Sequence, residues 1–270
     1  MMTLAVTKII SSYHQFERDF WLSYKALEAV MDETEWNMIK MQLLKSKRVD
    51  DKILSKVNRE EYETKRSELD AEWKKKNEDA KAAGTATHEY LHNLLCTEPE
   101  KCKVYGIPTD QYKLEKAEAF LNSNGLFPEF RIEIKLDEDH LLIGIADLIV
   151  KDGNSIKIID YKSDDKIERD SHYDVAKKKK KCMKYPLSKL PDCNLVHYQL
   201  QLSIYAWMLQ QMNPDFVINS LEVIQIKDNK VKKVYIVDYL KKDVEHLIKW
   251  HLKAIKLKAE TDKCKEIKYV

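Results

Sequence analysis

The sequence predicts an α/β fold, a mixed central β-sheet flanked by helices with a helical N-terminal extension. Three observations carry this. Gly and Pro number only 5 and 6 among 270 residues, which favours long helices over a loop-rich architecture. Apolar residues recur at helical spacing through the first third of the chain. After Pro128 the period drops to two. The elements then run as three strands, a helix, two strands and a helix, an order that yields a sheet of mixed strand direction.

Residues 11–83 read as helical. Phe20, Tyr24, Leu27 and Met31 share one helix face, and Tyr62, Leu69 and Trp73 repeat that spacing. From Lys45 to Lys81 acidic and basic residues are interleaved. That pattern fits a salt-bridged helical hairpin with a solvated face better than a basic arm gripping nucleic acid. A fresh helix is expected from Gly84 to Leu95, with Thr85 or Thr87 as its N-cap. The expected division is therefore an extension over 1–83, packed on a core over 84–270. A second helix is expected over Gln111 to Asn122, ended by Asn124-Gly125.

Phe130, Ile132, Ile134 and Leu136 then alternate with charged residues, as a half-buried strand does. Leu141 to Val150 is a nearly apolar second strand and Ser155 to Ser163 a third, with Asp152-Gly153 as the hairpin signal between them. Ile167 to Asn194 is polar and irregular. Tyr198 to Gln211 is an apolar helix. Phe216 to Ile226 and Val231 to Val237 form a strand pair around Asp228-Asn229, and a lysine-rich helix closes the chain.

Charged residues make up 34% of the chain, but the net charge is only +2, so any basic surface must come from local segregation. The cysteines Cys96, Cys102, Cys182, Cys193 and Cys264 are odd in number and lack Cys-x-x-Cys spacing, which points to reduced thiols and a cytoplasmic protein. The apolar stretch from Leu4 to Ile10 is short for a secretory signal and contains Lys8. No apolar run approaches the roughly 18 residues a bilayer span needs, so no membrane partner is expected.

The chemistry concentrates in the hairpin. With a turn centred on Asp152-Gly153, Asp147 faces Ile158. Period-two alternation then places Asp160 and Lys162 on the same side as Asp147. The argument needs an even number of loop residues, since a three-residue turn would flip Asp147 away. Two carboxylates side by side repel and favour a bound cation, and hard oxygen ligands favour Mg²⁺ or Mn²⁺. A plain Asp–Lys pair on a sheet surface explains Asp160 and Lys162, but not an Asp147 set among Ile143, Ile145, Leu148 and Ile149.

Gly144-Ile145-Ala146-Asp147 followed by Ile158-Ile159-Asp160-Tyr161-Lys162-Ser163 resembles the catalytic hairpin of RecB-type nucleases, of the PD-(D/E)XK superfamily with its restriction-endonuclease-like core. Gly84-Thr85-x-x-His88 resembles that family's first motif, and Gln201-x-x-x-Tyr205 its later helix motif. The likeness runs from about Gly84 to Leu209, and the overall texture resembles phage sequences. The resemblance implies a metal-dependent DNA nuclease, an exonuclease or end-processing enzyme of recombination, repair or genome processing. It implies metal ligation by His88, Asp147, Asp160 and the carbonyl of Tyr161. Asp147, Asp160 and Lys162 would be catalytic, with Lys162 serving the attacking water. Gln201 and Tyr205 would organise the site and touch the substrate strand. His92 lies one turn beyond His88 as a rival. Glu133, on the preceding strand, either approaches the metal or faces solvent.

Lys177, Lys178, Lys179, Lys180 and Lys181 form the densest basic run and are either phosphate contacts or a solvated loop. Some relatives hold an iron–sulfur cluster with three cysteines after the Gln-x-x-x-Tyr helix. Only Cys264 follows that helix here, so no cluster is expected. No Walker motif is present, so a helicase or recombination partner would be a separate chain. Two alternatives stay open: a catalytically silent nucleic-acid-binding or interaction protein on the same fold, and a structure-specific or RNA-directed nuclease.

Overall fold

A computed structural model describes residues 1–174 and 178–267, with side chains to Thr261. The chain forms two compact units. The first comprises Met1–His14, Gly84–Ser171 and Cys182–Val270, and the second Gln15–Ala83 and His172–Lys181.

The first unit is built on a six-stranded mixed sheet. Its strands are β1 (Met2–Ala5), β2 (Gly125–Lys135), β3 (His140–Asp152), β4 (Ser155–Lys162), β7 (Val217–Lys227) and β8 (Lys230–Val237). The short β5 (Tyr173–Asp174) and β6 (Lys179–Lys180) pair with each other in the second unit. β3 has three partners. β2 runs antiparallel along one edge, from Leu141 to Lys151. On the other edge β1 pairs parallel with His140 to Ile143, and β4 pairs antiparallel with Leu148 to Asp152. Between them, among the described residues, Gly144 to Asp147 has no strand on that edge, and the sheet opens there. β4 then pairs parallel with β7, and β7 antiparallel with β8 through Asp228 and Asn229, both at positive φ as a tight hairpin requires.

Apolar layers cover both faces of the sheet. Helix α6 (Asn194–Met212) is apolar on nearly every side. Leu200, Leu202, Ile204 and Ala206 are all buried in the larger core, with Leu142, Ala146 and Ile158 of the sheet. The other face packs Leu91, Leu94 and Leu95 against Leu148, Ile159 and Ile224. These three leucines belong to α5 (Arg59–Thr97), and α7 (Lys241–Ile267) contributes Val244, Leu247 and Ile248 to the larger core. In the second unit, α2 (Arg18–Val30) buries the expected face of Phe20, Tyr24 and Leu27. Met31 follows it, α3 (Glu33–Ser46) adds Trp36, Ile39 and Leu43, and the single turn α4 (Asp51–Leu54) adds Ile53. The side chain of Asp32 caps α3 by accepting from Thr34 and Glu35.

Several expectations are corrected. Residues 1–14 belong with the sheet unit, because Met2–Ala5 is a strand and α1 (Val6–Ser12) buries Val6, Ile9 and Ile10 in its core. No helix starts at Gly84. α5 runs through it, since the neighbouring alanines offset the roughly 1 kcal/mol that a mid-helix glycine costs. Gln111 to Asn122 forms only a 3₁₀ turn at Ala117–Ala119. Its backbone is instead bound to β2, with Leu126 N–H donating to Lys113 and Glu115 N–H to Leu126. A Cβ on Gly125 would collide with that segment, so this glycine opens a strand rather than closing a helix. β2 also starts earlier than Phe130, at Gly125, and passes through Pro128.

Candidate active site

The β3–β4 hairpin carries the site. Asp152 pairs with Ser155 across Gly153-Asn154, and Gly153 takes φ of 55°. Asn124 braces the turn, accepting from Gly153 N–H and donating to Asp152. The register is two residues from the expected one, so the loop is even in both and the face assignment survives. Extended past Leu148↔Ile159, the ladder sets Asp147 beside Asp160, not Ile158. The Asp147 carboxylate takes the N–H of Tyr161 at 2.7 Å, standing in for a ladder bond where the strands part.

Both aspartates are buried. Burial, and then the Asp160 charge, push the Asp147 carboxyl well above the ordinary carboxylate range. Lys162 Nζ lies 2.6 Å from Asp160 Oδ2. That oxygen has no aligned hydrogen bond and meets the ammonium as an ion pair. For Lys162, burial disfavours the ammonium, but Asp160 and then Asp147 favour it more strongly, and its pKa is raised. Its Nζ also sits over the Tyr198 ring, 4.9 Å from the centroid. Tyr198 in turn donates to Asp164.

α5 presents His88 to the hairpin. Its Nε2 is 3.1 Å from the Tyr161 carbonyl, and its Nδ1 is 3.4 Å from Asp147. Glu129 completes the cluster, with ligand atoms of His88, Glu129 and Asp147 all within 4.8 Å of one another. The β2–β3 register is unshifted from Pro128↔Leu148 to Phe130↔Ala146, so Glu129 lies across from Asp147. Yet Phe127 and Phe130 enter the same core, as do Ala146 and Ile149. Each pair is an odd number of residues apart, so both strands break their alternation together at the cluster. Glu129 has φ of 47°, which a non-glycine residue adopts only when its surroundings hold it there. A cavity of about 400 Å³ opens beside these groups, lined by Gly84, Thr85, His88, Glu89, His92 and Glu129.

On α6, Gln201 donates to Asp160 at 2.9 Å and to the Tyr205 hydroxyl at 3.1 Å. Tyr205 is buried, and burial foremost pushes its phenol pKa up. Its hydroxyl accepts from Gln201 and so braces that side chain. Its ring lies where a Cβ on Gly144 would have to be, which explains the glycine of Gly-x-x-Asp.

The other expected residues fall elsewhere. Glu133 is exposed and paired with Arg131, away from the cluster. His92 lines the cavity but is outside the ligand cluster, and its Nε2 is 3.8 Å from Cys96. Lys177 lies outside the described residues. Lys178 to Lys181 belong to the second unit, where Lys179 and Lys180 form β6 and Lys181 Nζ donates to the Gln15 carbonyl. Among cysteines whose side chains are described, Cys96, Cys102, Cys182 and Cys193 form no disulfide.

The model of the PD-(D/E)XK nuclease superfamily matches residues 40–268. The chain belongs to that superfamily. No curated protein matches this PD-(D/E)XK chain. The solved structure of SSO0001 aligns with 92% of it, and with 75% of its own length, at 12% identity and a TM-score of 0.36. That likeness is too distant to bear on the site. No helix among the described residues is long and apolar enough to cross a membrane.

Proposed function

We propose that this PD-(D/E)XK protein is a metal-dependent DNA nuclease that hydrolyses phosphodiester bonds, acting as an exonuclease or end-processing enzyme in recombination, repair or genome processing. The observation that carries the reading is the convergence of His88, Glu129 and Asp147 beside a buried Asp160–Lys162 pair. The donor set fits a hard divalent cation. Carboxylate oxygens and the Tyr161 carbonyl dominate it, one imidazole joins them, and a buried Asp160 oxygen lacks an aligned donor. His88, Glu129, Asp147, Asp160 and the Tyr161 carbonyl would hold Mg²⁺ or Mn²⁺. When bound, the ion supplies positive charge to the phosphate and acidifies water.

The protein's own groups do the rest. Lys162, 2.6 Å from Asp160, serves as a hydrogen-bond donor that orients water and meets charge growing on a phosphate oxygen. Gln201 fixes the Asp160 carboxylate, and Tyr205 fixes Gln201. Lys178 to Lys180 supply charge for backbone phosphates.

Incubating the protein with labelled linear, circular, single-stranded and flapped DNA and with RNA tests this. Cleavage of DNA should need Mg²⁺ or Mn²⁺ and stop in excess chelator. Undiminished cutting in chelator would overturn the reading, and a preference for RNA or for closed circles would reassign the substrate.

A further inference from the structure

The second unit carries an aromatic groove that the hairpin site does not use. Phe16, just before α2, and Trp73, on α5, meet with ring centroids 6.3 Å apart and planes 38° apart. Both rings line both of two cavities. One, of about 470 Å³, is also walled by Trp21 and by Tyr173 of β5. The other, of about 500 Å³, is rimmed by Arg18, Lys74, Lys76 and Asn77. All of these residues belong to the second unit. Both volumes fall in the range of roughly 300–1,000 Å³ that organic ligands occupy. Phe16 and Tyr173 are 50% and 58% exposed, and Trp21 and Trp73 are half-buried, so the rings can be reached from solvent.

We infer that this groove binds single-stranded DNA, with unpaired bases stacked on Phe16, Trp73 and Tyr173 and the adjoining phosphates taken by basic side chains. The apolar lining is nearly all planar. Leu44 is the one aliphatic side chain among the described residues of the first cavity, and the second has none. A groove for a protein helix takes aliphatic anchors into an apolar trough, whereas flat rings suit the π-face that every base presents. A duplex keeps its bases stacked inside, out of reach of these rings. The groove therefore selects unpaired strand. The inference deepens the nuclease reading by naming the form of DNA that is held, and it rests on that reading for the choice of DNA.

Charge complements the rings. Each cavity has three Lys or Arg side chains in its lining, and Asp174 is the one carboxylate among the described lining residues. Arg18 and Lys74 pair with Asp70, Lys76 with Glu72, and Lys25 with Glu28. Surface pairs of this kind contribute little, so a phosphate competes for the same cations. Lys181 Nζ donates to the neutral Gln15 carbonyl. Lys47 Nζ stands 4.6 Å from the Phe20 centroid and 4.7 Å from that of Trp21, which holds an ammonium against the aromatic wall. Across the ribbon Tyr173 pairs with Lys180. Directly opposed residues share a face, so a ring and a cation stand side by side there.

Fluorescence anisotropy of the full chain in excess chelator, with labelled oligothymidylate and with a blunt duplex of equal length, reads binding without cleavage. The single strand should bind more tightly than the duplex. Trp73→Leu keeps apolar bulk but loses the flat face. It should weaken single-strand binding by about 10-fold or more, the scale of one lost base–ring stack, and leave duplex binding nearly unchanged. Trp73→Phe should restore most of the affinity. Tyr173→Ser, at an exposed position, guards against simple unfolding and should show the same selective loss. The inference is overturned if both Trp73→Leu and Tyr173→Ser bind the single strand like the parent, or if single strand and duplex weaken together. It is also overturned if oligouridylate binds more tightly than oligothymidylate, or if the folded chain binds no single strand, which would leave the groove to a protein partner. A chain that fails these tests yet cuts DNA in Mn²⁺ keeps the nuclease reading without the groove. A chain that passes them and cuts nothing does the reverse.

Discussion

Lys162 keeps its charge in a buried place because Asp160, 2.6 Å away, and then Asp147 outweigh the cost of burial. An ammonium held by two carboxylates competes with a metal ion for them. Removing it should therefore leave metal binding intact or slightly tighter, while cleavage falls by about 10²–10³-fold, as when a donor to developing charge is lost. Calorimetric titration of Lys162→Ala with Mn²⁺, beside Asp160→Ala and a cleavage assay, checks this. Normal cleavage would show that the chemistry lies elsewhere, and a metal loss as deep as that of Asp160→Ala would make Lys162 a strut. The trio Asp147, Asp160 and Lys162 was legible in the sequence because side-chain parity depends only on whether the loop is even, so a two-residue error in register did no harm. Glu129 was not legible. Pro128 reads as a strand boundary, and the short β2–β3 turn over residues 136–139 carries no Asn-Gly or Asp-Gly signal to announce its register. No pattern announces a strand that breaks its alternation at one residue.

At the scale of elements, Gly144 joins strand to helix. An alanine there would overlap the Tyr205 ring, and the ring also touches the chain through Gln201. Gly144→Ala should destabilise the protein by about 1–3 kcal/mol, the usual cost of overpacking. It should also slow cleavage, because Gln201 and Asp160 move with Tyr205. An unchanged denaturation midpoint would mean that the ring slides aside without cost. In the proposed function the β5–β6 ribbon acts through its charge. Replacing Lys178, Lys179 and Lys180 by Gln leaves the Lys181–Gln15 bond in place and removes three charges at exposed positions. For duplex DNA, the slope of log affinity against log salt should flatten by about 0.9 for each phosphate no longer neutralised, with turnover at saturating substrate kept. Anisotropy at several salt concentrations measures it, and unchanged affinity at low salt would leave the ribbon a solvated tether. Elements with a strong period, such as α2, β3, β4, α6 and the β7–β8 hairpin, were readable. β1 was not, since four residues at a terminus are too few for a period and only pairing with β3 makes them a strand. The segment before β2 failed for the converse reason. Local signals allow a helix there, but hydrogen bonds to the β2 backbone win.

At the scale of the whole molecule, the site bears on stability through its buried charges. The folded pKa of Asp147 is raised, by burial and then by Asp160. A group raised in this way contributes its full stability below its unfolded pKa and loses it as pH climbs through the folded one. Without divalent ions the native state should therefore weaken as pH rises from the ordinary carboxylate range through Asp147's raised value. Lys162, also raised, titrates above its ordinary lysine range, so its contribution stays constant over that interval. Asn in place of Asp147 can still accept from Tyr161 N–H and cannot ionise. At neutral pH and without metal, Asp147→Asn should thus melt higher than the parent chain. Adding Mn²⁺ should reverse the order. An ion at 100 times its dissociation constant stabilises the parent by about 2.7 kcal/mol, whereas the variant has lost a ligand and gains little. Thermal melts of both chains with Mn²⁺ and with chelator, between pH 5 and 8, roughly the range where native stability usually peaks, separate the two effects. If Asp147→Asn melts lower in chelator, the carboxylate is held by its hydrogen bond more than it is strained by its burial. If Mn²⁺ raises both chains equally, the ion is bound somewhere other than Asp147.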